Sequence, residues 1–123
     1  MKIVVLAGGT STERDISIVT GTGICKALRQ KGHEAILVDI FCGVKNVDWE
    51  NPFPAEYDVE AASAYMSSFN DKIEEMKKER RNFFGPNVLK LCEAADIVFL
   101  GLHGANGEYG KVQATFDLMG IKY

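Results

Sequence analysis

The sequence predicts an α/β fold of three layers with a mostly parallel sheet of four strands. Short apolar runs at residues 3–6, 35–40 and 97–100 alternate with segments of helical periodicity. Uninterrupted apolar runs of this length are typical of strands covered on both faces of a parallel sheet. Because parallel strands need long right-handed crossovers, the intervening helices should cover both faces of the sheet.

The first forty residues form one βαβ unit. The run at residues 3–6 predicts the first strand, and the run at residues 35–40 predicts the second. Between them, apolar residues recur at three- and four-residue steps and predict a helix ending at Lys31 and Gly32. Its recurring positions are Ile16, Val19, Gly23, Ile24, Ala27 and Leu28. Gly21 and Gly23 each weaken a helix by about 1 kcal/mol relative to alanine, so we expect both to permit close packing on the sheet.

The middle of the chain has a weaker pattern. Residues 41–55 contain Gly43, Pro52 and Pro54 and show no sustained period, which predicts a connection with at most a short strand. From Tyr57 onward, apolar residues at four- and three-residue steps predict one helix with a stripe of core residues. The stripe consists of Ala62, Met66, Phe69, Ile73 and Met76, and the solvated helix end carries Lys77, Lys78, Arg80 and Arg81.

The last third returns to a regular alternation. Residues 88–95 predict a short helix, and residues 97–100 predict another buried strand. A helix over residues 110–119 follows, with Gly120 as its C-terminal cap. Val112, Phe116 and Met119 lie on one face of this helix at helical spacing. Residues 121–123 are expected to begin the fourth strand.

Composition and charge exclude several classes of function. The net charge of −3 provides no general attraction to nucleic acid or to an anionic membrane. Cys25, Cys42 and Cys92 are widely spaced and indicate buried free thiols rather than a disulfide framework or a zinc site. The apolar run near Met1 is too short for a signal peptide or a membrane span, so a cytoplasmic protein is expected.

Two loops follow predicted strands and are suited to bind a ligand, because ligands of open α/β sheets bind at the carboxyl ends of the strands. The first, residues 8–17, lacks the glycine pattern of a phosphate-binding loop, and Asp39 is therefore expected to be structural. The second spans residues 103–110. The carboxylate of Glu13 can hold an ammonium group, and the imidazole of His103 can hydrogen-bond a carboxylate, so together they suit a zwitterion. Helix capping or structural roles for the same residues remain the alternative.

Both loops match motifs of a known family. Two motifs of D-alanine–D-alanine ligases, GGxSxERxxS and HGxxGEDGxxQ, resemble these loops. The first resembles Gly8-Gly9-Thr10-Ser11-Thr12-Glu13-Arg14-Asp15-Ile16-Ser17. The second resembles His103-Gly104-Ala105-Asn106-Gly107-Glu108-Tyr109-Gly110 with Gln113. Gly120-Ile121-Lys122-Tyr123 resembles the family's GIPYTG segment. The resemblance implies that residues 1–123 are the amino-terminal domain, a Rossmann-like pre-ATP-grasp domain. Tyr109 and Lys122 depart from the family pattern.

The resemblance also implies a reaction. ATP phosphorylates the carboxylate of one D-alanine, and a second D-alanine displaces phosphate to give the dipeptide used for peptidoglycan. ATP and Mg²⁺ would be bound by central and carboxyl-terminal domains beyond this chain, which would itself hold no metal or cofactor. The isolated chain is therefore expected to be inactive, and the parent enzyme is expected to form a homodimer.

By the same resemblance, residues of the two loops bind the first D-alanine. Glu13, the catalytic candidate, would hold its ammonium group, His103 would lie beside it, and Ile16 would contact its methyl group. Ser17 and Glu108 are further candidates for substrate binding. Two alternatives stay open: a noncatalytic docking or dimerisation module that uses the stripe from Met66 to Met76, and the first domain of a ligase joining D-alanine to D-lactate or D-serine.

Overall fold

A computed structural model describes residues 1–102 and 108–123 of the protein. Along the chain the elements are β1 (Lys2–Ala7), α1 (Arg14–Gln30), β2 (Glu34–Asp39), α2 (Val59–Ser67), a 3₁₀ turn (Asn70–Lys72), α3 (Ile73–Glu79), α4 (Val88–Ala94), β3 (Ile97–Leu100) and α5 (Glu108–Met119). Helices and strands alternate at both ends of the chain, as the apolar pattern predicts. In the described ranges, no helix has the length and apolar character needed to cross a bilayer.

The sheet is parallel, and its strand order is β2-β1-β3. In the central strand, Leu6 is in register with Val38 of β2 and with Leu100 of β3. The α/β class is confirmed, but the described residues form three strands instead of four. The segment expected to be the fourth strand starts alongside β3, where the Val98 N–H donates to the Lys122 carbonyl at 2.8 Å. This contact does not extend into a ladder, so no strand forms there.

Two apolar layers lie on opposite faces of the sheet, as expected for three layers. On one face, Val5 of β1 and Leu37 of β2 are buried in a cluster with Cys25 of α1. On the other face, Leu6 is buried in a cluster with Phe116 of α5 and with residues of α4. The core is therefore divided by the sheet, and α1 is the helix that packs closest to β1 and β2.

The buried face of α1 differs from the predicted one. The buried residues are Arg14, Ser17, Ile18, Gly21 and Cys25. By contrast, Ile16 is 56% exposed and Val19 is 73% exposed. The apolar pattern gives the wrong face at the start of the helix because two polar side chains, Arg14 and Ser17, are buried there. Ser17 bonds to backbone groups at strand ends, and Arg14 bonds both to groups at strand ends and to Met66 and Asn70.

Gly21 lies where α1 approaches the sheet most closely. A Cβ added at Gly21 would lie 2.7 Å from the Ala7 Cβ, whereas one added at Gly23 would meet nothing within 4 Å. The expected close packing is thus confirmed for Gly21 and wrong for Gly23. We expect Gly21→Ala to lower the free energy of unfolding by about 1–3 kcal/mol through overpacking. Gly23→Ala should raise it by up to about 1 kcal/mol through helix propensity.

Urea unfolding of both variants, followed by circular dichroism, measures this pair of effects. Each variant is the control for the other, because both make the same chemical change on the same helix. A stabilising Gly21→Ala, or equal destabilisation by both changes, would contradict the assigned packing.

The single helix predicted after Tyr57 is broken into α2, the 3₁₀ turn and α3. Met66 and Ile73 are buried, and Phe69 and Met76 pack against a core cluster, so the prediction of a core stripe is confirmed. The break falls where Asn70 hydrogen-bonds to the side chains of Arg14 and Asp15. Residues 41–55 form neither helix nor strand.

Strand β3 is only partly covered by the described residues. Phe99 is 45% exposed, which differs from the buried strand predicted for residues 97–100. Its side of the sheet forms an apolar groove of about 490 Å³ together with Ile3 and Leu28. In α5, Phe116 is buried as predicted, while Met119 is 38% exposed. The covering helix α1 lies over β1 and β2, and within the described residues it leaves Phe99 uncovered.

Candidate functional site

The first loop leaves β1 through two glycines in a left-handed conformation. Gly8 has φ of 80° and Gly9 has φ of 88°, values that residues with a Cβ rarely adopt. A Cβ at Gly8 would also lie 2.7 Å from Oδ1 of Asp39 and 2.9 Å from Nη1 of Arg14. The tight turn therefore places the loop directly against a charged pair at the carboxyl edge of the sheet.

The charged pair is buried beneath this loop. Nη2 of Arg14 lies 2.5 Å from Oδ2 of Asp39, and the two residues are 5% and 1% exposed. The other carboxylate oxygen of Asp39 accepts hydrogen bonds from the N–H groups of Phe41 at 3.0 Å and Cys42 at 3.1 Å. Asp39 is thus a structural residue, as the sequence predicts, and it joins the end of β2 to the first loop.

Arg14 uses its remaining donors to fix the loop in place. Nη1 donates to the Gly9 carbonyl at 3.0 Å, and Nη2 donates to the Met66 carbonyl at 2.8 Å. Nε donates to Oδ1 of Asn70 at 2.9 Å. Sequence reasoning missed this role, because an arginine in a polar loop normally predicts a surface position. One sequence feature could have pointed to this role. Asp39, at the end of β2, was expected to bind no ligand, and a buried acid of this kind needs a basic partner such as Arg14.

Glu13 precedes α1 and is exposed. Its side chain makes no capping hydrogen bond to the helix, and its backbone N–H donates to the Ser11 hydroxyl at 3.1 Å. Ile16, three residues further on, is 56% exposed. Residues three apart on a helix are neighbours on its surface. A carboxylate and an apolar side chain thus lie side by side, exposed at the start of α1.

Ser17 faces the opposite way and is fully buried. Its hydroxyl accepts a hydrogen bond from the Gly8 N–H at 3.0 Å and donates to the Gly101 carbonyl at 2.7 Å. Gly101 is the residue after β3. The hydroxyl therefore bridges the ends of β1 and β3, and contact between Ser17 and a substrate stays a prediction.

Of the second loop, residues 103–110, the structure describes only residues 108–110. His103 lies outside the described residues. Glu108 is the first residue of α5, and only the backbone of Glu108 is described. The strands that lead into the loops are neighbours, since Leu6 of β1 is in register with Leu100 of β3. Both loops thus start from the same edge of the sheet, while an approach of His103 to Glu13 stays a prediction.

The cysteines do not provide a nucleophile at this edge. Cys42 lies beside the ion pair, with its Sγ 3.8 Å from Nη2 of Arg14. Burial raises the pKa of Cys42 to about 12, and the charge of Asp39 adds to this rise. Burial likewise raises the pKa of Cys25 to about 11 and of Cys92 to about 12. All three are buried free thiols, as predicted, and they stay protonated near neutral pH.

Comparison with known proteins identifies the family. The family model described as D-ala D-ala ligase N-terminus matches residues 2–123. The chain belongs to this family. Membership confirms the resemblance drawn from the two loop motifs, whereas the roles of Glu13, Ile16, Ser17, His103 and Glu108 stay predictions.

Several relatives of this chain are named D-alanine–D-alanine ligase. It is 48% identical over its whole length to D-alanine–D-alanine ligase of Lacticaseibacillus casei, of which it covers 36%. It is 45% identical to the ligase of Pediococcus pentosaceus, also with 36% of that protein covered. The ligase of Leptospira interrogans is 38% identical over 99% of the chain, with 33% covered. The chain thus spans about a third of the length of these relatives.

Proposed function

We propose that this chain is the part of an ATP-dependent D-alanine–D-alanine ligase that binds the first D-alanine. The observation that carries the proposal is the exposed Glu13, whose carboxylate caps none of the amides of α1. An exposed carboxylate that makes no capping hydrogen bond to its helix is suited to bind an ammonium group. The printed names of the relatives support the same substrate.

In the proposed site, Glu13 binds and orients the substrate. Its carboxylate accepts hydrogen bonds from the ammonium group of D-alanine, and the exposed side chain of Ile16 packs against the methyl group. His103, which lies outside the described residues, is proposed to donate a hydrogen bond to the substrate carboxylate. Fixing a small zwitterion by three different groups lowers the entropic barrier of the following reaction. The chain thus orients the substrate and does not activate it.

The proposal places no site for ATP or Mg²⁺ on this chain. The described ranges contain no group of three His, Cys, Asp or Glu side chains that could hold a metal ion. The first loop also lacks the glycine-lysine pattern that binds phosphate groups. We propose that nucleotide and metal bind to the remaining ligase domains of the full-length protein, and the isolated chain is expected to be inactive.

The proposal extends to partners and location. D-alanine, the remaining ligase domains and a second copy in a homodimer are the proposed partners, and the cytoplasm is the proposed location. The alternative of a docking module relied on the stripe from Met66 to Met76. Met66 and Ile73 are buried, so the stripe does not offer an exposed apolar face. Ligation to D-lactate or D-serine depends on a second-substrate site outside this chain.

The test is an assay of the full-length protein with ATP, Mg²⁺ and D-alanine. We expect phosphate release that requires D-alanine, together with D-alanyl-D-alanine detected by mass spectrometry. Parallel reactions with added D-lactate or D-serine measure the choice of second substrate, and residues 1–123 alone are the control without activity. A full-length protein that forms no dipeptide or depsipeptide would refute the proposal.

A further inference from the structure

We infer that Ser17 is a positioning residue that couples the two substrate-binding loops through its buried hydroxyl. The inference rests on the proposed function and assigns to Ser17 a role other than substrate contact. One hydroxyl joins the Gly8 N–H, at the start of the first loop, to the Gly101 carbonyl, which directly follows β3 and precedes the second loop by two residues. Glu13 belongs to the first of these loops and His103 to the second.

The hydroxyl of Ser17 forms one of these hydrogen bonds as a donor and the other as an acceptor. A serine hydroxyl has one proton to donate, and Ser17 gives it to the Gly101 carbonyl at 2.7 Å. One of its lone pairs accepts from the Gly8 N–H at 3.0 Å. Ser17 is 0% exposed, so water cannot take over either role without entering the core. Loss of the hydroxyl therefore leaves two backbone groups of the loops without this partner.

Close packing keeps the bridge short. A Cβ at Gly101 would lie 3.1 Å from the Leu6 carbonyl oxygen and 3.6 Å from the Gly21 Cα. The missing side chains of Gly21 and Gly101 allow α1, β1 and β3 to meet at this point. The Gly101 N–H also donates to the Leu6 carbonyl at 2.8 Å, a backbone bond between the ends of the two strands. Ser17 adds a separate link, from Gly8 to Gly101, beside this backbone bond.

The consequence for the proposed reaction is a specific kinetic defect. Displacement of a substrate-binding group by about 1 Å can cost a hundredfold in rate. Removal of the bridge lets the two loops move relative to each other, while Arg14 still holds Gly9 from the other side. We therefore expect Ser17→Ala to raise the KM for the first D-alanine about tenfold or more. The KM for ATP should stay within about twofold, because ATP binds to other domains.

The experiment compares Ser17→Ala and Ser17→Cys with Ser63→Ala in the full-length protein. Ser63, on α2, is a matched control, because its hydroxyl accepts a hydrogen bond at 3.0 Å from the hydroxyl of Thr22, which like Ser17 belongs to α1. Thermal unfolding measures any general loss of stability. Ser17→Cys, with a thiol that donates and accepts weakly, should have an intermediate KM and provides a folded variant if Ser17→Ala does not fold.

A second measurement is independent of activity. Hydrogen exchange of the Gly8 amide, followed by NMR or mass spectrometry, should be faster in Ser17→Ala and unchanged in Ser63→Ala. Unchanged Gly8 protection, or an unchanged KM for D-alanine in folded Ser17 variants, would overturn the inference. If the wild-type protein forms no ligation product, the proposed function fails, and the exchange result still decides whether Ser17 couples the loops.

Discussion

Glu13→Gln in the full-length protein is expected to raise the KM for the first D-alanine about 10- to 100-fold. The change keeps the size of the side chain and removes the charge that would pair with the substrate ammonium. A hydrogen bond to a charged group contributes about 1.5–3 kcal/mol, and each 1.4 kcal/mol corresponds to about tenfold in affinity. Because Glu13 is exposed and caps no helix amide, the stability of the fold should be unaffected. Steady-state kinetics with D-alanine and ATP varied separately measures the effect.

Two further variants separate charge from geometry at this position. Glu13→Asp keeps the charge and shortens the side chain, so its KM for D-alanine should lie between those of wild type and Glu13→Gln. Glu93→Gln removes an exposed carboxylate from α4 and should change neither KM. Equal changes in the two KM values, or no change for D-alanine, would exclude Glu13 as the ligand of the ammonium group.

Arg14→Met should lower the free energy of unfolding by about 3–5 kcal/mol. The loss arises because Asp39, which is 1% exposed, would stay as a buried charge without its partner. Methionine keeps much of the apolar length of the side chain, so little of the expected loss comes from a cavity. Denaturant unfolding of the folded variants measures the change. A loss below about 1 kcal/mol would show that the pair does not hold the loop.

A double variant tests whether the unpaired charge of Asp39 causes the loss of stability in Arg14→Met. Adding Asp39→Asn to Arg14→Met removes the unpaired charge, and the amide oxygen can still accept from the N–H groups of Phe41 and Cys42. The double variant should therefore be more stable than Arg14→Met alone. Lys26→Met is the control, since the pair of Lys26 and Glu60 is exposed and such pairs contribute about 1 kcal/mol or less.

The parts of the fold that follow from apolar periodicity could be predicted from the sequence. The strands β1 and β2 and the end of α1 at Lys31 agree with the predicted elements. Short apolar runs and the glycine that follows α1 act locally, so their effect can be read from neighbouring residues. The buried face of α1 could not be predicted, since Arg14 is buried by partners as distant in sequence as Met66. The break after α2 has the same origin, because Asn70 binds Arg14.

The binding roles assigned to the site residues stay predictions, and the structure reports only where the described ones lie. Glu13 and Ile16 lie on the surface at the start of α1, as a binding role requires. The buried bonds of Ser17 depend on how β1 and β3 pair, which the spacing of motif residues does not reveal. The position of His103 stays a prediction. The structure shows only that β1 and β3, the strands that precede the two loops, are neighbours in the sheet.

The anchoring of Arg14 limits how the first loop can be transplanted. Its guanidinium group reaches Gly9 within the loop, but also Asp39, Met66 and Asn70, which are supplied by three other parts of the chain. A graft of residues 8–17 onto another α/β scaffold would carry the arginine without these acceptors. The motif is thus not a portable peptide, and a working transplant must include the end of β2 and the segment around Asn70.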